Sequence, residues 1–271
     1  MALTSFQRHV LGLLRETRRS VSGGYVAGGL ALNHMTAQPR ASHDIDFFHD
    51  PDVLLKESFN ADCRVLKGNG YKVERLKESD SFIEAGVSGG DEFLKIQWVK
   101  DSPYRFFPLQ ENDVVGFTLH PVDLATNKLL ALAGRTVPRD WIDVIAATKE
   151  VQPLAYLLFA ACGKDPGFSP TSLLELVSRR HYNQIELDNE IDPKGAYDAA
   201  DLCRYWHEEV NRAKELLEVL PREKVGQVVL GKGGNPFRGG MEEFRRAYAA
   251  GELQFHEGGI GGALPQITSK R

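Results

Sequence analysis

The chain has 271 residues, 42% of them hydrophobic and 26% charged, with a formal net charge of −4. That balance predicts a globular protein with a real core and offers no overall basic excess for nucleic acid. No apolar run reaches the roughly twenty residues of a membrane helix, Met1–Arg8 does not read as a signal peptide, and Cys63, Cys162 and Cys203 are too scattered for a disulfide framework; a cytoplasmic protein with no membrane part is expected.

Phe6, Val10, Leu13 and Leu14 recur at helical spacing over residues 4–19, with Thr4 or Ser5 as cap and Ser22, Gly23 and Gly24 as the stop. Tyr25–Ala27 reads as a short buried strand running into Gly28 and Gly29, with a helix over Leu30–Met35 that stops before Pro39. Asp44–Phe48 is the next strand, His49–Asp52 a turn and cap, and residues 53–69 a helix ended by Gly68, Asn69 and Gly70. Strands follow over Tyr71–Leu76, Ser81–Val87 and Phe93–Val99, the last two joined as a hairpin through Ser88–Asp91. From Pro121 the pattern turns helical, over 122–134, 139–149, 153–162, 170–180 and 194–219. Trp98 and Trp206 fall on apolar faces and are predicted core. Beyond Pro221 the chain is glycine-rich, with one helix near Met241–Ala250 and loop at Gly258–Gly262. The expected division is a mixed α+β part over 1–120, a helical domain over 121–220 and a glycine-rich extension over 221–271.

Side chains alternate faces along a strand, so Asp44 and Asp46 share one face and Ile45 takes the other. Two carboxylates side by side repel unless a cation lies between them, and Mg²⁺ suits such a pair because water and phosphate oxygens complete its shell; Mn²⁺ is the alternative. Gly28 and Gly29, at the start of a helix, can turn backbone amides toward the phosphates of a nucleoside triphosphate with no side chain in the way. Alone, a Gly-Gly after a strand is commonly a turn and an Asp-x-Asp commonly surface charge. Arg40 and Ser42 between them favour metal and nucleotide binding. A dinucleotide-binding loop does not fit, because no ribose-binding acid ends a second parallel strand. The basic clusters Arg15/Arg18/Arg19, Arg179/Arg180/His181, Arg222/Lys224 and Arg245/Arg246 read mainly as solvated helix faces.

Gly28-Gly29 after a strand, then a helix, then Asp44-x-Asp46, resembles the minimal motif of the DNA polymerase β-like nucleotidyltransferases. Ala27 to Leu32, with Arg40-x-Ser42-x-Asp44-Ile-Asp46-Phe-Phe48, resembles more narrowly the AbiEii/AbiGii toxin family. A second block supports this likeness: His120-Pro-Val-Asp123, Asn127-Lys128, and Arg135-x-x-x-Arg139-Asp140-x-x-Asp143. The resemblance implies an α+β fold, with a polymerase-β-like core built on a small mixed sheet and a helical C-terminal domain that completes the cleft. It also implies transfer of NMP from an NTP to an acceptor hydroxyl, such as a tRNA 3′ end, and a cognate antitoxin as partner. Asp44 and Asp46 would hold the metal; Gly28, Gly29, Arg40, Ser42, Lys128 and Arg135 would bind the nucleotide, Lys128 also acting in catalysis. Arg139, Asp140 and Asp143 would support them, one of the two acids orienting an Arg or Lys.

One position departs from the pattern. On the strand Phe93–Val99, the place where related sequences carry a third acid holds Gln97, a neutral amide that cannot take up a proton as a carboxylate does. Asp101 shares its parity but lies beyond the expected place. Two readings therefore stand: a working transferase, or a degenerate member that binds nucleotide or RNA without turnover.

Overall fold

The computed structural model describes residues 3–18, 24–36, 38–40, 42, 44–51 and 54–265. Arg19 of the first basic cluster, Ser22 and Gly23 of the expected helix stop, Asp52 of the expected cap and the last six residues lie outside these. The chain divides into two compact units, one of residues 1–103 with 109–120, the other of 104–108 with 121–271.

The first unit is a seven-stranded mixed sheet with helices. Its elements are α1 (Ser5–Thr17), β1 (Tyr25–Val26), α2 (Gly28–Thr36), β2 (Asp44–His49), α3 (Leu55–Gly68), β3 (Lys72–Glu78), β4 (Phe82–Gly89) and β5 (Glu92–Lys100). After β6 (Tyr104–Arg105), which belongs to the other unit, β7 (Gln110–Asn112) and β8 (Gly116–Thr118) complete the sheet, in the order β3-β4-β5-β2-β1-β8-β7. β2 runs parallel to β5, and β1 parallel to β8; the remaining pairs are antiparallel. α1 opens on a capping box: the Gln7 amide donates to Thr4 Oγ1, and the Gln7 side chain accepts from the Thr4 amide.

Alternation along β2 separates two environments. Ile45, Phe47 and His49 are buried, whereas Asp44, Asp46 and Phe48 on the other face are half-buried. The buried side holds a polar cluster. Arg18 pairs with Asp62, which also accepts from Trp98 Nε1 at 2.7 Å. The same guanidinium lies 3.1 Å from His49 Nε2, donates to Ser58 Oγ at 3.2 Å, and stacks 3.9 Å over the Phe47 ring. Arg18 is therefore an interior residue and not part of a solvated basic face. Its partner Asp62 stands on α3, too far along the chain for local spacing to show the pairing.

The second unit is mostly helical: α4 (Pro121–Gly134), α5 (Pro138–Glu150), α6 (Leu154–Lys164), α7 (Pro170–Ser178), α8 (Gln184–Glu190), α9 (Ala199–Leu217) and α10 (Met241–Ala249). α6 is buried from Leu154 to Cys162 and forms the centre of its core, with Trp141, Trp206 and Phe244 among the packed residues. The span expected as one helix over 194–219 is shorter, because Asp198 caps α9 by accepting from the Asp201 amide. α8 was not anticipated from the sequence. The glycine-rich region contains strands as well as its expected helix: β9 (Val228–Leu230) pairs with β10 (Gln254–His256), and β11 (Gly259–Ile260) pairs with β6. Gly258–Gly262, expected as loop, is thus partly strand. A Cβ on Gly258 would fall 2.6 Å from the Tyr104 ring, so only glycine allows that approach. Buried Asp123 anchors 104–108 into this unit. It accepts from the amides of Phe106 (2.9 Å) and Phe107 (3.1 Å) and pairs with Lys164 at 2.8 Å. Among the described residues no single helix is long and apolar enough to cross a membrane, and all three cysteines are free.

Candidate active site

Within the first unit, β1 and β2 pair antiparallel, Tyr25 opposite Phe48 and Val26 opposite Phe47. That register delivers the end of β1 to Asp46: the Ala27 amide reaches the Asp46 carbonyl at 3.4 Å. The chain then turns directly into α2, whose first residue is Gly28 at φ +70°. A Cβ there would stand 2.7 Å from Asp46 Oδ2. Glycine is thus required twice, for the left-handed backbone and for the space the carboxylate occupies. The structure brings the Gly28–Gly29 helix start and the Asp46 carboxylate together, with Asp44 on the same face of β2.

Arg40 is buried in this unit. Ser42 Oγ lies 3.4 Å from the Asp44 carbonyl, and the Ser42 carbonyl accepts from the Gln7 side chain. These contacts tie the entry of β2 to α1.

The neighbouring strands define the rest of the face. Asp44 stands opposite Lys95 and Asp46 opposite Gln97 on β5; Gln97 in turn stands opposite Glu84 on β4. Gln97 Nε2 donates to Glu84 Oε2 at 3.0 Å. Glu84 was missed in the sequence, although the signal was there: it is the one carboxylate inside an otherwise apolar or small strand, and the tight turn at Gly90–Asp91 sets its register with Gln97. Asp101 lies past the end of β5, where its amide donates to the His49 carbonyl at 2.9 Å and its side chain accepts from the Ser102 amide.

Among the described residues no group of three or more His, Cys, Asp and Glu side chains is arranged to hold a metal. Asp44 and Asp46 alone fit a hard cation that takes one or two carboxylates and fills its shell with water and phosphate. They do not fit a zinc site or a calcium cage, which need more protein ligands. The close approach of Gly28 to Asp46 supports this fit, because it keeps the space beside the carboxylate clear of any side chain from the start of α2.

In the second unit, Lys128 on α4 is held between two buried carboxylates of α5. Its Nζ lies 2.9 Å from Asp140 Oδ1 and 3.0 Å from Asp143 Oδ2. Asp140 also takes Arg135, from Nε at 2.6 Å to Oδ2 and from the terminal nitrogen at 3.1 Å to Oδ1. Pro138 starts α5 and places Asp140 in its first turn, where the helix dipole favours an anion. Burial works against the Lys128 charge, but Asp143 and Asp140 outweigh it and hold the ammonium above its ordinary pKa. Burial likewise opposes ionisation of Asp140, and the hydrogen bond from Arg135 with the charge of Lys128 still keeps its carboxyl below the usual range. Asp140 therefore joins Lys128 and Arg135 into one arrangement, with Asp143 closing it. Arg139 precedes Asp140 in the same first turn.

Residues 25–192, more than half the chain, match the family described as nucleotidyl transferase AbiEii toxin, type IV toxin–antitoxin system. The chain belongs to that family. Its match spans β1 through α8 and so includes both the carboxylate strand and the Lys128 arrangement. Among solved structures, MenT4, a nucleotidyltransferase toxin from Mycobacterium tuberculosis H37Rv, is similar with a TM-score of 0.51 and 15% identity, over 80% of this AbiEii-family chain and 83% of its own. An H. pylori protein assigned to the nucleotidyltransferases is similar at 18% identity and a TM-score of 0.49, over 79% of this chain and 99% of its own. Curated proteins returned no significant match. The expected fold stands: an α+β nucleotidyltransferase core with a mixed sheet, followed by a helical part. Nucleotidyl transfer is the chemistry of the family, and a toxin of this type implies a nucleotide substrate and an antitoxin partner.

Proposed function

We propose that this protein is a Mg²⁺-dependent nucleotidyltransferase that moves NMP from an NTP to the hydroxyl of an RNA acceptor, a tRNA 3′ end being the acceptor tested first, in the cytoplasm and under the control of a cognate antitoxin. The observation that carries this reading is the carboxylate pair of β2 backed by Gly28 at the start of α2. The acceptor oxygen attacks the α-phosphorus and forms a new O–P bond. The bond from that phosphorus to the bridging oxygen breaks, pyrophosphate leaves with the electron pair, and the hydroxyl proton passes to base or solvent. A divalent cation, when bound, neutralises charge on the phosphates and makes the hydroxyl a better nucleophile. Asp44 and Asp46 would hold it. Gly28 and Gly29 receive phosphate oxygens on their amides. Arg40 and Ser42 support the same nucleotide. Lys128 and Arg135, carried over from the family pattern, supply positive charge for the triphosphate, with Asp140 and Asp143 fixing their direction and Arg139 beside Asp140 in a supporting place.

Purified protein incubated with each α-labelled NTP, Mg²⁺ and total RNA should label an RNA species, and sequencing its end identifies base and acceptor. D44N/D46N should abolish the label; wild-type transfer by that variant would overturn the assignment of the metal site. A second reading rests on Gln97: the protein binds NTP without turnover. NTP binding by wild type, with no label in any RNA or protein fraction, would favour it.

A further inference from the structure

Three strands place Asp46, Gln97 and Glu84 in one row across the sheet, each directly opposite the next. Residues directly opposite in a sheet project from the same face. Lys77 on β3 extends the row beyond Glu84, with its Nζ 3.6 Å from Glu84 Oε1. Glu84 is buried, while Gln97 is half-buried. The bond from Gln97 Nε2 to Glu84 Oε2 measures 3.0 Å. A carboxylate only accepts, so the end of the Gln97 amide beside Glu84 must be its NH₂. With its NH₂ group engaged by Glu84, the amide keeps its carbonyl oxygen as an acceptor outside that bond.

This inference rests on the metal site proposed above. We propose that Glu84 is a positioning residue: by holding the Gln97 amide through its NH₂ group, it presents the Gln97 carbonyl oxygen as a neutral third ligand beside Asp44 and Asp46. Gln97 then does not mark a lost acid. It lowers the negative charge of the site by one while keeping an oxygen there, and carbonyl oxygens are ordinary ligands of hard cations. Glu84 cannot take that place itself, because Gln97 stands between it and Asp46 and already engages Oε2. Lys77 draws on the other oxygen and helps keep the Glu84 charge on the far side of the row.

The test is titration of the intact protein with Mn²⁺ alone, followed by electron paramagnetic resonance, with melting temperature measured in parallel. Q97L and Q97M remove the amide oxygen at nearly constant volume, and each should weaken Mn²⁺ binding by about tenfold. E84Q can hold Gln97 in either orientation and should weaken binding several-fold. E84Q/Q97L should bind no more weakly than Q97L, because Glu84 acts only through Gln97. The exchanged pair E84Q/Q97E puts the carboxylate on the Asp46 side with an amide behind it, and should bind Mn²⁺ more tightly than wild type; a purely structural hydrogen bond predicts no such gain. Wild-type Mn²⁺ affinity in folded Q97L or Q97M would overturn the proposal, as would simple additivity in E84Q/Q97L. D44N/D46N separates the two levels. If it still binds Mn²⁺ as wild type does, the carboxylate-pair reading fails. If it loses Mn²⁺ while Q97L keeps it, only the role of Glu84 and Gln97 fails.

Discussion

Replacing Gly28 by alanine isolates the contact on which the site reading depends. Two penalties are built into the position. The backbone sits at φ +70°, where an L residue costs about 1–2 kcal/mol. The new Cβ would also stand 2.7 Å from Asp46 Oδ2, closer than real Cβ contacts come, so the carboxylate must swing away or the turn must open. Gly70 provides a matched control, because it has φ +85° with nothing within 4 Å of its Cβ position. G70A should therefore lose about 1–2 kcal/mol, or about 2–8 °C in melting temperature for a chain of this size, and G28A at least as much because the contact with Asp46 adds to the backbone strain. They should differ in chemistry. Misplacing a reacting group by about 1 Å costs on the order of 100-fold in rate, so kcat for label transfer should fall by about that factor in G28A and stay near wild type in G70A. The assay is initial-rate transfer from α-labelled NTP, beside thermal melting of both variants. Equal activity in folded G28A and G70A would refute the reasoning, since Gly28 would then serve only the turn.

Three further outcomes follow from the charged interiors. Burial first, and the Arg18 charge second, push His49 down from 6.5 to about 3, so it stays neutral when folded but takes a proton when unfolded. Its contribution is complete above pH 6.5 and is lost as pH falls from there toward 3; between pH 6.5 and 4.5 wild type should lose about 2 kcal/mol that H49Q does not, measured by urea unfolding at each pH, and parallel pH profiles would contradict this. K128M leaves Asp143 and one side of Asp140 buried without their cation and should destabilise by about 3 kcal/mol, with K128M/D143N recovering part of it; a double variant less stable than K128M would show that Lys128 does not neutralise Asp143. D123N weakens the hold on the Phe106 and Phe107 amides and removes the charge facing Lys164, and should cost about 3 kcal/mol, whereas a change below about 1 kcal/mol would mean that the segment 104–108 is held mainly by packing.

Where one signal was strong and local, the sequence could be read. The β2 alternation and the glycine step at Gly28 were visible because side-chain parity and left-handed backbone are properties of a few adjacent residues. The β4–β5 hairpin could be read from its turn. What escaped was short or long-range. α8 has only Leu187 buried, so it offers no apolar stripe, and β6, β7 and β8 are two or three residues long. β11 pairs with β6, whose residues lie about 150 positions earlier in the chain, so no local pattern marks it. Arg18 read as surface charge because its partner Asp62 comes from another helix. Glu84 was legible in part: its parity and the hairpin register place it opposite Gln97, but its weight emerges only when β2 is set beside β5.

The α4–α5 acids and the β2 acids stand in different surroundings. Asp140 and Asp143 face Lys128, and Asp140 faces Arg135 as well, at hydrogen-bonding distances inside one unit. Two cations match two anions there, so no external cation is needed and a metal would have to displace an ammonium held by both acids. Such a pair sets direction and charge on Lys128 and Arg135. Asp44 and Asp46 stand half-buried on one strand face, Lys95 opposite Asp44, and Gly28 and the Gln97 amide beside Asp46 with Glu84 behind that amide. There the start of α2 comes up to the Asp46 carboxylate with no side chain between them. It is the combination of that approach with a neutral Gln97 that makes the β2 face the place to look for the metal, whereas the α4–α5 acids are already matched by Lys128 and Arg135.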